Sequence, residues 1–256
     1  MNRINATLCS LALGAALWTM PVVGPAIAAS FDDAQKAELN ELIRSYLIEH
    51  PEILREMSQK LQESERQAEE KVRGAALTTQ TAAIYKTTGD NVLGNPKGDV
   101  TIVEFLDYNC GWCKKSMTEM QSLIESDKNL KVIFKEFPIF GENSEYAARG
   151  ALAAGMQGKY WPLHVAMFSH EGQVTKEVVD ELAKAQGLDM DKFKKDMTDQ
   201  TVIDTIATNY ELAKSLQLNG TPAFIIDDQV VPGYLQLDGL QASIAKVRAN
   251  GGCKLC

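Results

Sequence analysis

The most constraining stretch of this chain is Thr101-Ile102-Val103-Glu104-Phe105-Leu106, followed three residues later by Cys110-Gly111-Trp112-Cys113. An apolar run of this length, rich in β-branched residues, predicts a buried strand. The residues after the second cysteine predict a helix over about 110–125. The order strand, short turn, Cys-x-x-Cys, helix has a chemical purpose. A thiol in the first turn of a helix sits among unpaired backbone N–H groups at the positive end of the macrodipole. Both favour the thiolate, and a cysteine pKa of roughly 8.5 falls to about 3.5–7 in such places. Cys110, nearest the helix start and reached from the loop Asp107-Tyr108-Asn109, is the expected attacking sulfur. Cys113, one turn further in and shielded, would resolve a mixed disulfide from within. Gly111-Trp112 between them brings no histidine or cation; Trp112 offers apolar surface to a bound chain instead.

Further along, residues 131–137 read as a second strand, and residues 144–216 as a long helical region broken at Gly158, Pro162, Gly172 and Gly187. Residues 223–227 and 229–231 read as two short strands around an Asp227-Asp228 turn, and residues 237–249 as a last helix. The class is therefore α/β. Thr221-Pro222 stands directly before the third of these strands. By itself it is an ordinary turn signal. Yet 112 residues separate Cys110 from Pro222, far more than one strand–helix step requires. The excess falls on the helical region, so a helical insertion at about 142–217 is expected.

The segments Val103-Glu104-Phe105-Leu106-Asp107-Tyr108-Asn109-Cys110-Gly111-Trp112-Cys113, Lys135-Glu136-Phe137-Pro138-Ile139 and Gly220-Thr221-Pro222-Ala223-Phe224 resemble the DsbA family over about residues 90–250. These are periplasmic thiol–disulfide oxidoreductases with a thioredoxin fold and an inserted helical domain. The resemblance implies that Pro222 is cis and faces the disulfide, and that Thr221 pairs through its backbone with a substrate strand. It implies a catalytic set of Cys110, Cys113, Thr221, Pro222 and Glu104, with Trp112, Thr221 and Pro222 binding substrate. Glu104, six residues before Cys110, matches the place where relatives bury an acid. A buried carboxyl has a raised pKa and can take the proton of the resolving thiol; an exposed edge Glu is the plainer alternative. Lys135 on the neighbouring strand is a candidate partner for it.

Upstream, residues 32–80 read as helical, interrupted at His50-Pro51. Leu39, Leu42, Ile43, Tyr46 and Leu47 line one face, and Ile53, Leu54, Met57 and Leu61 another. Residues 62–73 are a charge-rich run with hardly an apolar face, expected as a solvated connecting helix. Two short amphipathic helices cannot bury both stripes between them. Either a second copy of the chain covers them or they dock on the chain's own main domain. The run Tyr46-Leu47-Ile48-Glu49-His50-Pro51-Glu52-Ile53-Leu54 resembles the ScsC branch (suppressor of copper sensitivity), which implies a homo-oligomer, dimer or trimer, assembled by these helices. The expected organisation is a segment 29–88 of this kind, then a DsbA-like domain 89–256 that begins after the turn chemistry of Gly89-Asp90 and Gly94-Asn95-Pro96.

The first residues read as a signal peptide, 1–28: Arg3, an apolar stretch over 6–23, and small residues Ala26 and Ala28 spaced for cleavage. Cys9 is expected to be lost with it, and the periplasm is the expected location. Net charge is −8, which gives no general attraction for nucleic acid. No cofactor is expected. Partners implied are misoxidised exported proteins and a membrane thiol-redox protein.

Two matters stay open on the residues alone. The activity is expected to be disulfide isomerase or reductase, because the resemblance to DsbC and ScsC types lies in a Gly-aromatic pair and Thr before the proline. A dithiol oxidase is the alternative, with a copper-binding protein or a holdase chaperone as rivals of another class. Gly251-Gly252-Cys253-Lys254-Leu255-Cys256 reads as a flexible tail, whose cysteines form a second disulfide, bind a soft metal such as Cu(I), or have no specific role. His164 is expected as a packing residue of the insertion. The histidines are not spaced to complete a zinc site with Cys110 and Cys113.

Overall fold

The computed structural model describes residues 32–85 and 91–256. The expected signal peptide and Cys9 lie outside them. Contacts divide the chain into two units, residues 1–59 and 60–256.

In the first unit, helix α1 (Asp33–Glu49) begins at a capping box. The Asp32 carboxylate accepts the Gln35 amide at 2.8 Å, and the Gln35 side chain accepts the Asp32 amide at 3.0 Å. Both satisfy N–H groups that a helix start leaves open. The helix stops at His50, before Pro51, whose ring disfavours helical geometry in its predecessor. Helix α2 (Glu52–Thr79) follows and runs across the division between the units. No residue of α1 is buried. Leu42, Tyr46, Leu54, Met57 and Leu61 are each more than half exposed in the single chain.

The second unit is built on a five-stranded sheet ordered β1-β3-β2-β4-β5. Its strands are β1 (Val92–Gly94), β2 (Val100–Leu106), β3 (Leu130–Glu136), β4 (Ala223–Ile226) and β5 (Gln229–Pro232). Strands β2 and β3 are parallel, and the other neighbours antiparallel. Helix α4 (Gly111–Ser126) makes the crossover from β2 to β3. Between β3 and β4 the chain inserts α5 (Glu142–Gly155), α6 (Tyr160–Ser169), α7 (Lys176–Ala185), α8 (Met190–Asp196) and α9 (Gln200–Ser215). Helix α10 (Leu237–Ala249) closes the domain. Strand β1 has only three residues among turn-forming ones, so periodicity does not reveal it. Its Gly94 (φ +72°) lies so close to β3 that a Cβ would meet Leu130 O at 2.4 Å.

Side-chain alternation along β2 separates two cores. Val100, Ile102 and Leu106 face a large core with Met120, Phe134, Phe224 and Ile244. Val103 and Phe105 face a second one with Ile133, Phe137, Leu216 and Ile225. That second core also takes Ala76 and Leu77 from α2, and Ile84 and Tyr85 from α3 (Thr81–Tyr85). The contact boundary at residue 60 thus precedes the turn at Gly89 that the sequence pointed to. The physical reason is that the last turns of α2 and α3 cover the sheet's second face, where α9 is the other helix among the described residues. The charged run 62–72 is exposed throughout. No described helix is long and apolar enough to cross a membrane.

Candidate active site

Cys110 is the N-cap of α4, with extended backbone (φ −84°, ψ 117°). The loop before it is fixed by the buried Asp107, whose carboxylate accepts the amides of Asn109 (2.7 Å), Ile139 (2.7 Å) and Phe140 (3.1 Å). Asn109 ties the loop to the inserted helices. It donates to Ser144 Oγ at 3.1 Å and accepts the Val174 amide at 2.8 Å. Lys114, in the first turn of α4, donates to the carbonyls of His170 (2.8 Å) and Gly172 (2.7 Å). Sheet, catalytic helix and insertion are therefore joined at this one corner.

The Thr221–Pro222 peptide is cis, and Cys110 Sγ lies 3.1 Å from the Thr221 carbonyl oxygen. Residues 111 positions apart meet because β4, which starts at Ala223, pairs antiparallel with β2, placing Ala223 opposite Phe105. The Thr221 hydroxyl is buried and has no hydrogen-bond partner among the described residues.

Cys110 and Cys113 are both free thiols. The sequence suggested a reachable Cys110 and a shielded Cys113. Exposure hardly separates them, at 4% and 1%, because the Thr221 loop lies against Cys110. Electrostatics separates them. The Cys110 pKa is pulled down to about 6, first by the hydrogen bond from the Cys113 thiol, with help from the Cys113 and Trp112 amides. Burial pushes the Cys113 thiol well up, and donating to Cys110 and facing the Glu104 charge push it the same way. One sulfur is a thiolate near neutrality and the other keeps its proton.

Glu104 is buried on β2, on the α4 side of the sheet, and Ser116 Oγ of α4 donates to its Oε1 at 2.9 Å. Burial raises its pKa to about 8, with the Ser116 bond offsetting part of the rise. Lys135 does not pair with it. In the β2–β3 register Glu104 is opposite Phe134, and Lys135 is opposite Phe105. Side chains alternate along a strand, so Lys135 points to the other face.

Trp112 is exposed and its ring packs at a tilt of 31° against Tyr234, 5.2 Å between centroids. Lys115 Nζ sits 5.4 Å from the Trp112 ring and 4.9 Å from the Tyr234 ring, and the Tyr234 hydroxyl donates to Glu119. Sequence reasoning did not single out Tyr234, Ser116 or Asp107. Helical spacing from Cys113 points to Ser116, but nothing local marks the other two.

Next to this corner is a buried polar cluster. Tyr160 (2.7 Å) and Tyr108 (3.1 Å) donate to Glu136 Oε1, and the Tyr108 hydroxyl lies 2.8 Å from His164 Nδ1. Burial raises Glu136 to about 8 and lowers His164 to about 3. His164 is packed among Phe134, Trp161 and Phe168, a neutral member of the insertion's core.

Cys253 and Cys256 form a disulfide. The segment 251–256 is docked on the domain, unlike the flexible tail the glycines suggested. Asp227, which accepts its amides, and Leu255, which packs on the second core, help secure it.

Residues 101–245 match the family described as "DSBA-like thioredoxin domain", and residues 35–68 the one described as "Copper resistance protein ScsC N-terminal domain". A thioredoxin-like oxidoreductase from Silicibacter pomeroyi is 40% identical, over 66% of this chain and 97% of that one, with a TM-score of 0.64. The thiol-disulfide exchange protein alpha-DsbA2 from Wolbachia pipientis is 31% identical, over 70% of this chain and 98% of its own, with a TM-score of 0.65. Among curated proteins, the Na(+)/H(+) antiporter NhaA 1 of Salinispora arenicola is 26% identical over 163 residues, 63% of this chain. The chain spans about a quarter of the length of the curated relatives it matches.

Proposed function

Since this chain belongs to the family of DSBA-like thioredoxin domains and is a thiol–disulfide oxidoreductase, we propose that it acts as a disulfide isomerase or reductase on exported proteins in the periplasm. The observation that carries the exchange chemistry is the split pair, a Cys110 pKa near 6 beside a Cys113 held well above the ordinary value; the direction of exchange rests on the features given below.

The Cys110 thiolate attacks one sulfur of a substrate disulfide. The other substrate sulfur leaves as a thiolate, and a mixed disulfide forms. In isomerisation that substrate thiolate attacks elsewhere in its own chain, and Cys110 is finally expelled as a thiolate. In reduction Cys113 attacks Cys110 Sγ, the substrate leaves with both electrons, and the Cys113 proton passes to Glu104. A carboxyl with a pKa of about 8 has roughly one molecule in ten ionised at pH 7, which suits a base that must also release its proton. Thr221 and Pro222, adjacent to Cys110 Sγ, align the substrate backbone, and Trp112 holds an apolar side chain of it.

Isomerase or reductase action is favoured by the absence of a histidine or cation between the cysteines and by the N-terminal match to ScsC. The exposed stripes of α1 and α2 assemble a homo-oligomer whose active sites surround a misfolded chain; exposed apolar surface of this kind marks an interaction site. One observation favours a dithiol oxidase instead: stabilising the Cys110 thiolate makes the disulfide a better oxidant. Refolding of a substrate with scrambled disulfides separates the readings. Rescue supports the isomerase; no rescue together with rapid oxidation of a reduced peptide overturns it.

A further inference from the structure

The second Cys-x-x-Cys lies at the other end of β4 from the active site. That strand starts beside Pro222 and ends beside Asp227, and Asp227 organises the second pair. It is buried, in the left-handed region (φ +53°), at the turn into β5. Its Oδ1 accepts the amides of Lys254 at 2.7 Å and Leu255 at 2.8 Å, and Cys253 Sγ lies 3.5 Å from the same oxygen. A carboxylate oxygen and both sulfurs all lie within 4.8 Å of one another, the one such group of three donors among the described residues.

We propose that this cluster is a metal site for a zinc-class divalent cation, open when Cys253 and Cys256 are reduced and closed when they are joined. Three features carry the inference. First, the arrangement does not depend on the S–S bond. The two amides held by Asp227 belong to the residues between the cysteines, Leu255 packs on the second core, and Tyr85 donates to the Asp227 carbonyl. Reduction therefore leaves Cys253 Sγ beside the carboxylate and Cys256 next to the anchored Leu255, within reach of the same oxygen. Second, a carboxylate oxygen and two sulfurs this close carry mutual repulsion once all three are anionic. A divalent ion removes that repulsion. Third, the donors are two sulfurs and one oxygen. Magnesium and calcium require oxygen sets, whereas zinc accepts thiolate and carboxylate together and completes a tetrahedron with water. Cys256 is exposed, which leaves a side open for that water.

The steps balance. Two external thiols, supplied by a reduced dithiol protein, become a disulfide and pass two electrons to the Cys253–Cys256 bond, which takes up two protons as it breaks. The metal ion then displaces those two protons. The field here is opposite to that at Cys110: there backbone amides turn toward a sulfur, and here they are taken up by an acid beside one.

The test uses the full-length chain carrying Cys9→Ser, Cys110→Ser and Cys113→Ser, reduced under anaerobic conditions and titrated with zinc against a chromogenic chelator. One zinc per chain is expected, with about two protons released, and none in the oxidised protein. Adding Cys253→Ser and Cys256→Ser abolishes binding. Asp227→Asn preserves the amide hydrogen bonds and tolerates the left-handed backbone, and weakens binding at least tenfold. Absence of zinc from the reduced protein, equal binding when oxidised, or binding indifferent to either set of substitutions overturns the proposal.

Discussion

Cys110 Sγ stands 3.1 Å from the carbonyl oxygen of Thr221. On the proposed function, a substrate strand laid along the Thr221–Pro222 segment meets Cys110 Sγ without further search. The same contact covers Cys110, which is why the more reactive sulfur is scarcely more exposed than its mate. Reactivity at this site is set by ionisation more than by access, and that has measurable consequences.

Alkylation of Cys110 by iodoacetamide is expected to follow a titration with a midpoint near pH 6. Replacing Cys113 by Ala removes the principal thiol donor and moves the midpoint up. Linkage fixes the sign of the stability change. A group whose pKa is lower in the folded chain stabilises it above its unfolded value, and that stability is lost as pH falls through about 6. Cys113, raised by burial, works against the folded chain once free thiols ionise above about 8.5. The melting temperature of the reduced protein, relative to the oxidised one, should thus rise between pH 6 and 8. A difference independent of pH would refute the assignment.

Glu104→Gln keeps an acceptor for Ser116 but removes the ionisable acid. Attack by Cys110 is expected to be unchanged, while release of the mixed disulfide through Cys113 slows by about 10²-fold, as read by stopped-flow quenching. Stability moves the other way. The unfolded carboxyl ionises near 4.5 and the folded one near 8, so the native protein loses on the order of 4–5 kcal/mol between those pH values. The variant is spared that loss, and denaturant midpoints at pH 4 and pH 8 will reveal it.

Truncation distinguishes the two helical roles in the N-terminal region. A chain starting at Lys60 is expected to fold, to exchange disulfides with small substrates, and to be monomeric by light scattering. A chain starting at residue 89 lacks Leu77, Ile84 and Tyr85, all buried. Losing large core side chains costs about 2–5 kcal/mol each, comparable in sum to the whole stability of a domain. It should be unfolded by circular dichroism. Equal stability of the two truncations would show that α3 is dispensable.

Tyr234→Ala withdraws the ring against which Trp112 packs. KM for a polypeptide substrate is expected to rise about threefold to tenfold, in line with roughly 1 kcal/mol for an aromatic pair. The rate with a small-molecule disulfide, which does not reach that surface, should stay within about twofold. A matching loss on both would place Tyr234 in the fold rather than in recognition.

What the linear chain determined by itself was everything governed by local pattern. The apolar run before Cys110 and the helical start after it set one thiol at a helix N-terminus, and the 112-residue interval to Pro222 required an insertion. Elements with many residues in one period, such as α10, were legible to the residue, whereas three-residue β1 was not. Tertiary structure alone decided which distant groups meet. Strand register turned Lys135 away from Glu104, and the part of the sheet's second face that α9 leaves open drew residues 76–85 into the domain. The Asp227 turn captured a glycine-led tail that looked free. These outcomes depend on pairing and burial between segments far apart in sequence, and no local periodicity encodes them.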